Sequence, residues 1–397
     1  MKNLGTLFGY EMKKIWKRPM TWAAVLIFSA VCVYSIATPF TPNPNGAKFT
    51  FTDAEGKEIS EFLTGDEQYR IQVEGSRPLS GLLMDENFFQ AARDGVPEVE
   101  GVFGRDNFFY LVDPTYIDIY WWYSEALDGT AEDFYANRMD GIELSWKHAG
   151  LREDDVAYWR EMEAQVEKPF VYYPVYGFQD LMGKLGSGGV AICIPLIVGA
   201  CLCELFSQER RTRLSALIFS SRQGRLPLFL AKVLAGGLSV ELAAALVSGS
   251  AIVTSLLLYG MDGLQAQIQL LPWLRSSSFP ITIGQATAIL LALTLAYALV
   301  CGALAALASM LTGSGVVALA VSAGVMLATM RQYHADWAEY LPANLADEHA
   351  LMSLRLTDLF GLKLNFIQSG FLLYLLIAVI LFGLCWLDWR RKAAKGN

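Results

Sequence analysis

Charge is missing from five long stretches of this sequence. Pro19 to Ala47, Leu185 to Cys203, Leu242 to Met261, Ser276 to Met330 and Leu364 to Leu387 contain no Asp, Glu, Lys or Arg. With 54% hydrophobic residues overall, the chain falls outside the ordinary soluble class. About 20 apolar residues in a helix cover the roughly 30 Å of bilayer hydrocarbon. Four of the runs fit one span each. Ser276 to Met330 fits two, joined at Thr312-Gly313-Ser314-Gly315, a turn signal. The reading is an all-α polytopic membrane protein with six transmembrane helices, at 21–38, 187–206, 233–259, 283–311, 314–330 and 366–387. The first run has a basic flank and small residues at Ser35-Ile36-Ala37. It is nevertheless read as a retained anchor rather than a cleaved signal, because its apolar stretch spans a whole bilayer.

Cysteine is missing from the hydrophilic block at 39–185. All six (Cys32, Cys193, Cys201, Cys203, Cys301, Cys385) lie in or beside the spans. A disulfide scaffold is excluded for that block, which must hold together by an apolar core. Cys201-Leu202-Cys203 has neither zinc-knuckle nor Cys-x-x-Cys spacing and reads as small apolar filler. Histidine is scarce as well, three in all and only His148 in the block. No His-Glu-x-x-His and no Gly-x-x-x-x-Gly-Lys-Ser/Thr loop occurs. The chain is therefore not expected to be an enzyme, to hydrolyse ATP by that route, or to hold a cofactor. The loop at 331–365 carries His334, Asp336, Asp347, Glu348 and His349. Consecutive residues on a helix point in different directions, so Asp347-Glu348-His349 is not expected to bind a metal. Trp337–Leu341 and Met352–Leu364 read as short surface helices.

The charges that are present are strongly sorted. Residues 39–185 hold 12 Lys/Arg and 28 Asp/Glu, net −16; the remainder holds 19 and 11, net +8. Fifteen of those 19 cations lie in 1–20, 204–232 and 388–397. Lys and Arg near span ends mark the cytoplasmic side. With six spans, these three segments share one side. The expectation is a multi-pass cell-membrane protein with both termini cytoplasmic (tail 388–397) and the acidic block as an extracellular domain between the first two spans.

Within that block, Lys48 to Ile59 alternates and turns at Asp53-Ala54-Glu55-Gly56, a short hairpin. The rest reads mainly helical. Asp113-Pro114 opens one helix, a Thr130/Asp133 capping box a second, and Glu153–Val166 forms a third. Its dense aromatics, Phe88, Phe89, Phe108–Tyr110 and Tyr116–Tyr123 among them, suit either a stacking surface or a helical core with Trp and Tyr at the membrane interface.

The segment 207–232 is the sharpest motif. Leu214, Leu217, Ile218 and Phe219 give a helical apolar stripe among Arg210, Arg211, Arg213, Arg222 and Arg225. A loop this short between two spans has no room for a nucleic-acid fold. It suits a cytoplasmic amphipathic helix, or simply positive-inside residues touching anionic lipid. At the amino terminus, Leu4, Leu7, Phe8, Met12, Ile15 and Trp16 share one helical face, with lysines opposite and Glu11 intruding on the apolar side. This reads as a membrane-surface helix within 1–20. Glu241 is the one charge well inside a span, at a cost of about 2.5–3.5 kcal/mol. It should face the bundle interior or a wet cavity, in a structural or a transport role.

"QERRTRLSALIFSSRQGRLPLFLAK" resembles the cytoplasmic loop of bacterial ABC-2-type ABC transporter permeases. Glu209, Arg210, Arg211, Leu217, Ser220, Ser221, Arg222, Gly224, Arg225 and Lys232 match, while Arg213 stands where a small residue is usual. The amino-terminal helix is similar to their elbow helix, and six spans with a large insertion after the first fit nearly the whole length. The resemblance implies a permease subunit, an exporter, that works as a homo- or heterodimer in the lipid bilayer. It further implies a separate ABC ATP-binding subunit docking on residues 205–226. Glu209 and the arginines would set register there, Leu217, Ile218 and Phe219 would fill its groove, and Leu214 belongs to the same coupling helix. The competing readings are a non-transporting scaffold or sensor acting through the extracellular domain, and a surface enzyme anchored by the six helices.

Overall fold

Uncharged runs rich in Ala, Leu and Val become helices because backbone groups in hydrocarbon must find their partners within the segment. The computed structural model describes residues 4–52, 57–67, 69–70, 77, 80–89, 130–186, 189–212, 218, 226–330 and 336–395. The chain begins with α1 (Leu4–Trp16) and, after a two-residue break, α2 (Pro19–Ala37). The acidic block contributes an antiparallel hairpin, β1 (Gly46–Thr52) and β2 (Glu58–Thr64), with Gly46 opposite Thr64. It continues with α3 (Ala131–His148), α4 (Glu153–Ala164) and α5 (Tyr176–Leu185). Then come α6 (Val190–Leu202), the short α7 (Ser207–Arg211), α8 (Leu226–Tyr259), α9 (Ile283–Thr312) and α10 (Gly315–Thr329). The turn α11 (Pro342–Leu345), a second hairpin of β3 (Leu356–Leu359) and β4 (Leu362–Asn365), and α12 (Phe366–Lys395) complete the chain.

Among the described residues, five helices are long and apolar enough to cross a membrane: Pro19–Phe40, Asp180–Glu209, Leu226–Tyr259, Ile283–Thr312 and Phe366–Ala394. Gly315–Thr329 is apolar but shorter. The protein is mostly helical with little sheet, and these helices make it a membrane protein. At the centre stands α9, packed against α6, α8, α10 and α12, while α8 also contacts α1 and α2. Small residues permit the close approaches. A Cβ on Gly199 of α6 would lie 2.8 Å from the Ser322 side chain of α10.

Several boundaries differ from the sequence reading. α8 starts at Leu226, where Leu226-Pro227 suits a helix start, and runs on into the span read at 233–259; Pro227 fits a first helical turn, where its missing N–H costs nothing. The tail expected at 388–397 continues α12 to Lys395, where Lys392 pairs with Asp388 at 2.5 Å and donates to the Met310 carbonyl at 2.6 Å. Trp337 falls in a 3-10 turn, Asp336–Tyr340. Much of Met352–Leu364, read as a helix, is instead the β3–β4 hairpin. Phe360 and Gly361 both take positive φ there (51° and 85°), the turn a two-residue hairpin needs.

The acidic block is tied to the bundle. The Thr130/Asp133 capping box starts α3 as expected, with Asp133 N–H donating to Thr130 Oγ1 at 3.2 Å. Phe88 and Phe89 lie in the core with Phe134 and Tyr172; Asp113-Pro114 and Phe108–Tyr123 fall outside the described residues. The connection 260–282, which shows no periodic pattern, folds into three 3-10 turns with Ala266, Ile268, Leu271 and Leu274 fully buried. Arg138 of α3 reaches its carbonyls at Arg275 (2.8 Å) and Ser277 (3.0 Å).

Candidate functional site

Two acidic and two basic side chains meet where α1, the α6–α7 junction and the first turns of α8 converge. The α1 face carrying Leu4, Leu7, Phe8, Ile15 and Trp16 turns onto protein rather than lying open. Ile15 is fully buried, Leu7 and Trp16 pack on the core, and Leu4 and Phe8 are half-buried. Trp16 Nε1 donates to Ser239 Oγ of α8 at 3.2 Å. Glu11, the charge intruding on that face, is 3% exposed.

Glu11 is buried because Lys232 of α8 is buried opposite it. Lys232 is 0% exposed, and its Nζ donates to Glu209 Oε1 at 2.6 Å, the Leu205 carbonyl at 2.9 Å and Glu11 Oε2 at 3.1 Å. An ammonium has three donors, so its valence is filled. Lys14 donates to Glu209 Oε1 at 3.1 Å and to Glu11 Oε1 at 3.3 Å. The two lysines and two glutamates alternate and sum to zero charge. Burial alone would lower the Lys14 ammonium, but the Glu209 and Glu11 carboxylates outweigh it and raise it above its usual value. Phe206 stacks under Lys232 Nζ and also contacts Phe229 and Trp389, which carries the packing into α12.

A second tier surrounds this cluster. Arg18 donates to the Cys201 carbonyl and Gln208 Oε1, each at 3.4 Å, and lies 3.8 Å from Glu204. Glu204 also pairs with Arg211 at 2.8 Å. Glu204 and Arg211 line a cavity of about 540 Å³ whose far wall is the turn Gly313–Gly315. Of the residues the sequence singled out, Glu209 sits at the heart of the cluster, with Oε2 buried and unpartnered among the described residues. Arg211 is exposed at the cavity, Ile218 packs against the core, and Arg210 belongs to α7. Arg213, Leu214, Leu217, Phe219, Arg222 and Arg225 lie outside the described residues. Sequence reasoning did not join Lys232, Glu11 and Lys14 to Glu209. The signal was there: an acid on an apolar helical face and a lysine at the foot of an apolar run.

Glu241 is half-buried on α8, and its Oε1 is buried without a hydrogen-bond partner among the described residues. On the opposite end of the bundle, ligand atoms of Asp347, Glu348 and His349 lie within 4.8 Å of one another, closer than expected for consecutive residues. The reason is a cap. Asp347 Oδ1 accepts from the His349 N–H at 3.1 Å and also meets His349 Nδ1. Those atoms are engaged with each other, and we assign no metal there. Burial pushes the Glu348 carboxyl up to about 7, Asp347 adds repulsion, and His349 opposes both. The His349 imidazole is raised chiefly by its hydrogen bond to Asp347. The fold thus favours the protonated form of both groups. The Glu348 contribution is complete below the ordinary carboxyl range and is lost as pH rises through about 7; the His349 contribution is complete below the ordinary imidazole value and is lost as pH rises through the raised one. Resistance to denaturant should fall between about pH 5 and 8, and Glu348→Gln should flatten that slope; an unchanged slope in the variant would refute the assignment.

Compared with protein-family models, curated proteins and solved structures, the chain matches none of them.

Proposed function

We propose that this chain is the membrane subunit of an ATP-driven exporter, energised by a separate ATP-binding subunit that docks on residues 205–226. It would act as a homo- or heterodimer of such subunits. In this reading six helices span the cell membrane, α10 being the fifth span. At 1.5 Å per residue α10 is about 22 Å long, within what local bilayer thinning accommodates. Both termini and the basic loop are cytoplasmic, and the acidic block is extracellular.

The observation that carries the reading is the buried Glu11–Lys14–Glu209–Lys232 cluster. Docking on the loop is useful only if a push there is transmitted. Glu209 on α7 is bonded to Lys232 at the foot of α8 and to Lys14 of α1, and α1 runs almost directly into α2. A displacement of α7 would therefore shift α1 and α8 together, because packed interfaces of this kind move as units. The cavity beside Arg211 offers an open surface for the partner at the same place.

Reversing charge at Arg210, Arg211 and Arg213 is expected to abolish co-purification of an endogenous ATPase while the chain still inserts. Undiminished capture would count against docking here. The sidedness is checked separately with Ala216→Cys. An impermeant thiol reagent applied outside intact cells should leave it unlabelled.

A further inference from the structure

Four polar side chains of α8 and α9 lack an ordinary partner. Glu241 Oε1, Ser248 Oγ, Ser255 Oγ and Thr294 Oγ1 are all buried and make no hydrogen bond among the described residues. Ser248 and Ser255 are 0% exposed and Thr294 is 1% exposed. A hydroxyl in a membrane helix normally bonds back to a carbonyl one turn earlier. Ser250, Thr254, Thr287, Thr312 and Ser322 all do so, at 2.7 to 3.1 Å. The orphaned hydroxyls are exceptions to a solution the same helices use elsewhere.

Their placement is regular. Residues 241, 248 and 255 are spaced by seven, which keeps them on one face of α8 in steps of about 10.5 Å. Gly237 of α8 faces Leu299 of α9, and Gly302 of α9 faces Val240. Thr294 of α9 lies off this line, about 80° round its helix from Gly302 and about 140° from Leu299. The line runs from the middle of α8 towards the end joined to the acidic block.

We propose that this line is a binding track for the cationic head of an amphiphilic cargo, with Glu241 as its counter-ion and the Ser248 and Ser255 hydroxyls as successive acceptors. The proposal rests on the transport reading and names its substrate class. Only a cation offsets the cost of ionising a buried carboxyl at Glu241; an anion adds to that cost, and a neutral cargo offsets none of it. No lysine, arginine or histidine lies in Val233 to Met261 or Ser276 to Met330 to supply the balancing charge from within these segments. The acidic block, net −16, has the same charge preference.

The full chain in lipid nanodiscs, without an ATPase, is titrated with tetraphenylphosphonium and, separately, with tetraphenylborate, the same shape with opposite charge. Saturable binding of the cation is expected, weakened at least about tenfold by Glu241→Gln and about twofold to fivefold by Ser248→Ala with Ser255→Ala. Tetraphenylborate should show no dependence on residue 241. Glu241→Asp should retain cation binding, which guards against a folding defect. A hydrophobic carbodiimide should modify Glu241 in the parent chain, and tetraphenylphosphonium should protect it. Cation binding equal in Glu241→Gln, or labelling that the cation does not block, overturns the proposal. Cation binding with no ATPase ever captured would leave the track standing and sink the transport reading.

Discussion

Replacing Lys232 with Met is expected to cost more stability than any other single substitution at the foot of the bundle. The side chain is fully enclosed, and three acceptors converge on its Nζ. Met fills similar space but offers no donor and no charge. Glu11 and Glu209 would then face each other with Lys14 alone between them, one negative charge in excess in a largely buried site. Removing one partner from a buried charge set costs about 3–5 kcal/mol. The loss should resist added salt, since buried pairs are screened far less than exposed ones. Adding Glu209→Gln restores neutrality, so the double variant should recover part of the loss, with a coupling of about 1–3 kcal/mol between the two sites. The check is a double-mutant cycle on unfolding midpoints in detergent. Strict additivity would show that the cluster does not act as a unit. Lys232→Arg should be intermediate: the charge remains, but a planar fork does not fit three acceptors placed around a point ammonium. In the transport reading, a chain with Lys232→Met that still folds should capture an ATPase yet fail to transmit its motion.

The same residues show how far sequence reasoning reaches. The five long apolar helices were legible because absence of charge over a bilayer's thickness is a local property. So were the Thr130 cap and the hairpin at 46–64, whose signals lie within a few residues of each other. The cluster was legible only in its parts. Glu11 and Lys232 each stand out as misplaced charges, but they are 221 positions apart, and no periodicity specifies which misplaced acid meets which misplaced base. The connection 260–282 gave no local signal for a related reason. Its turns are held by Gln269, which donates to the Ser277 and Phe279 carbonyls at 3.0 and 2.8 Å, and by Arg138 from another part of the chain. Tertiary partners, not local propensity, make that segment compact. The β3–β4 hairpin was misread differently: the Phe360-Gly361 turn was present in the sequence, but the leucine-rich flanks suggested a helix.

Arg138 provides the second large expected effect, confined to the acidic block. It is 1% exposed, grips Glu163 with two bonds of 2.5 and 3.2 Å, and gives two further donors to the Arg275 and Ser277 carbonyls. Phe170 covers it at 5.5 Å. One guanidinium therefore joins α3 to α4 and both to the connection between α8 and α9. Arg138→Met leaves Glu163 with Lys168 as its one cation among the described residues, at 2.8 Å, and strips two carbonyls of a donor. About 3–5 kcal/mol should be lost, and lost locally. Amide exchange in α3 and α4 should quicken while α9 keeps its protection; unchanged exchange in both would refute the assignment. Arg138→Lys should rescue little, because one ammonium cannot replace a bidentate fork. Acid should mimic the lesion. Burial alone would raise the Glu163 carboxyl, but Arg138 and Lys168 overcome it and hold it below its usual value. Its contribution is present above the ordinary carboxyl pKa and is lost as pH falls through the lowered one. The acidic block should therefore open in acid before the bundle does. Glu163→Gln should remove that acid dependence and leave the decline attributed to Glu348 above pH 5 in place, which separates the two carboxyls in a single pH series.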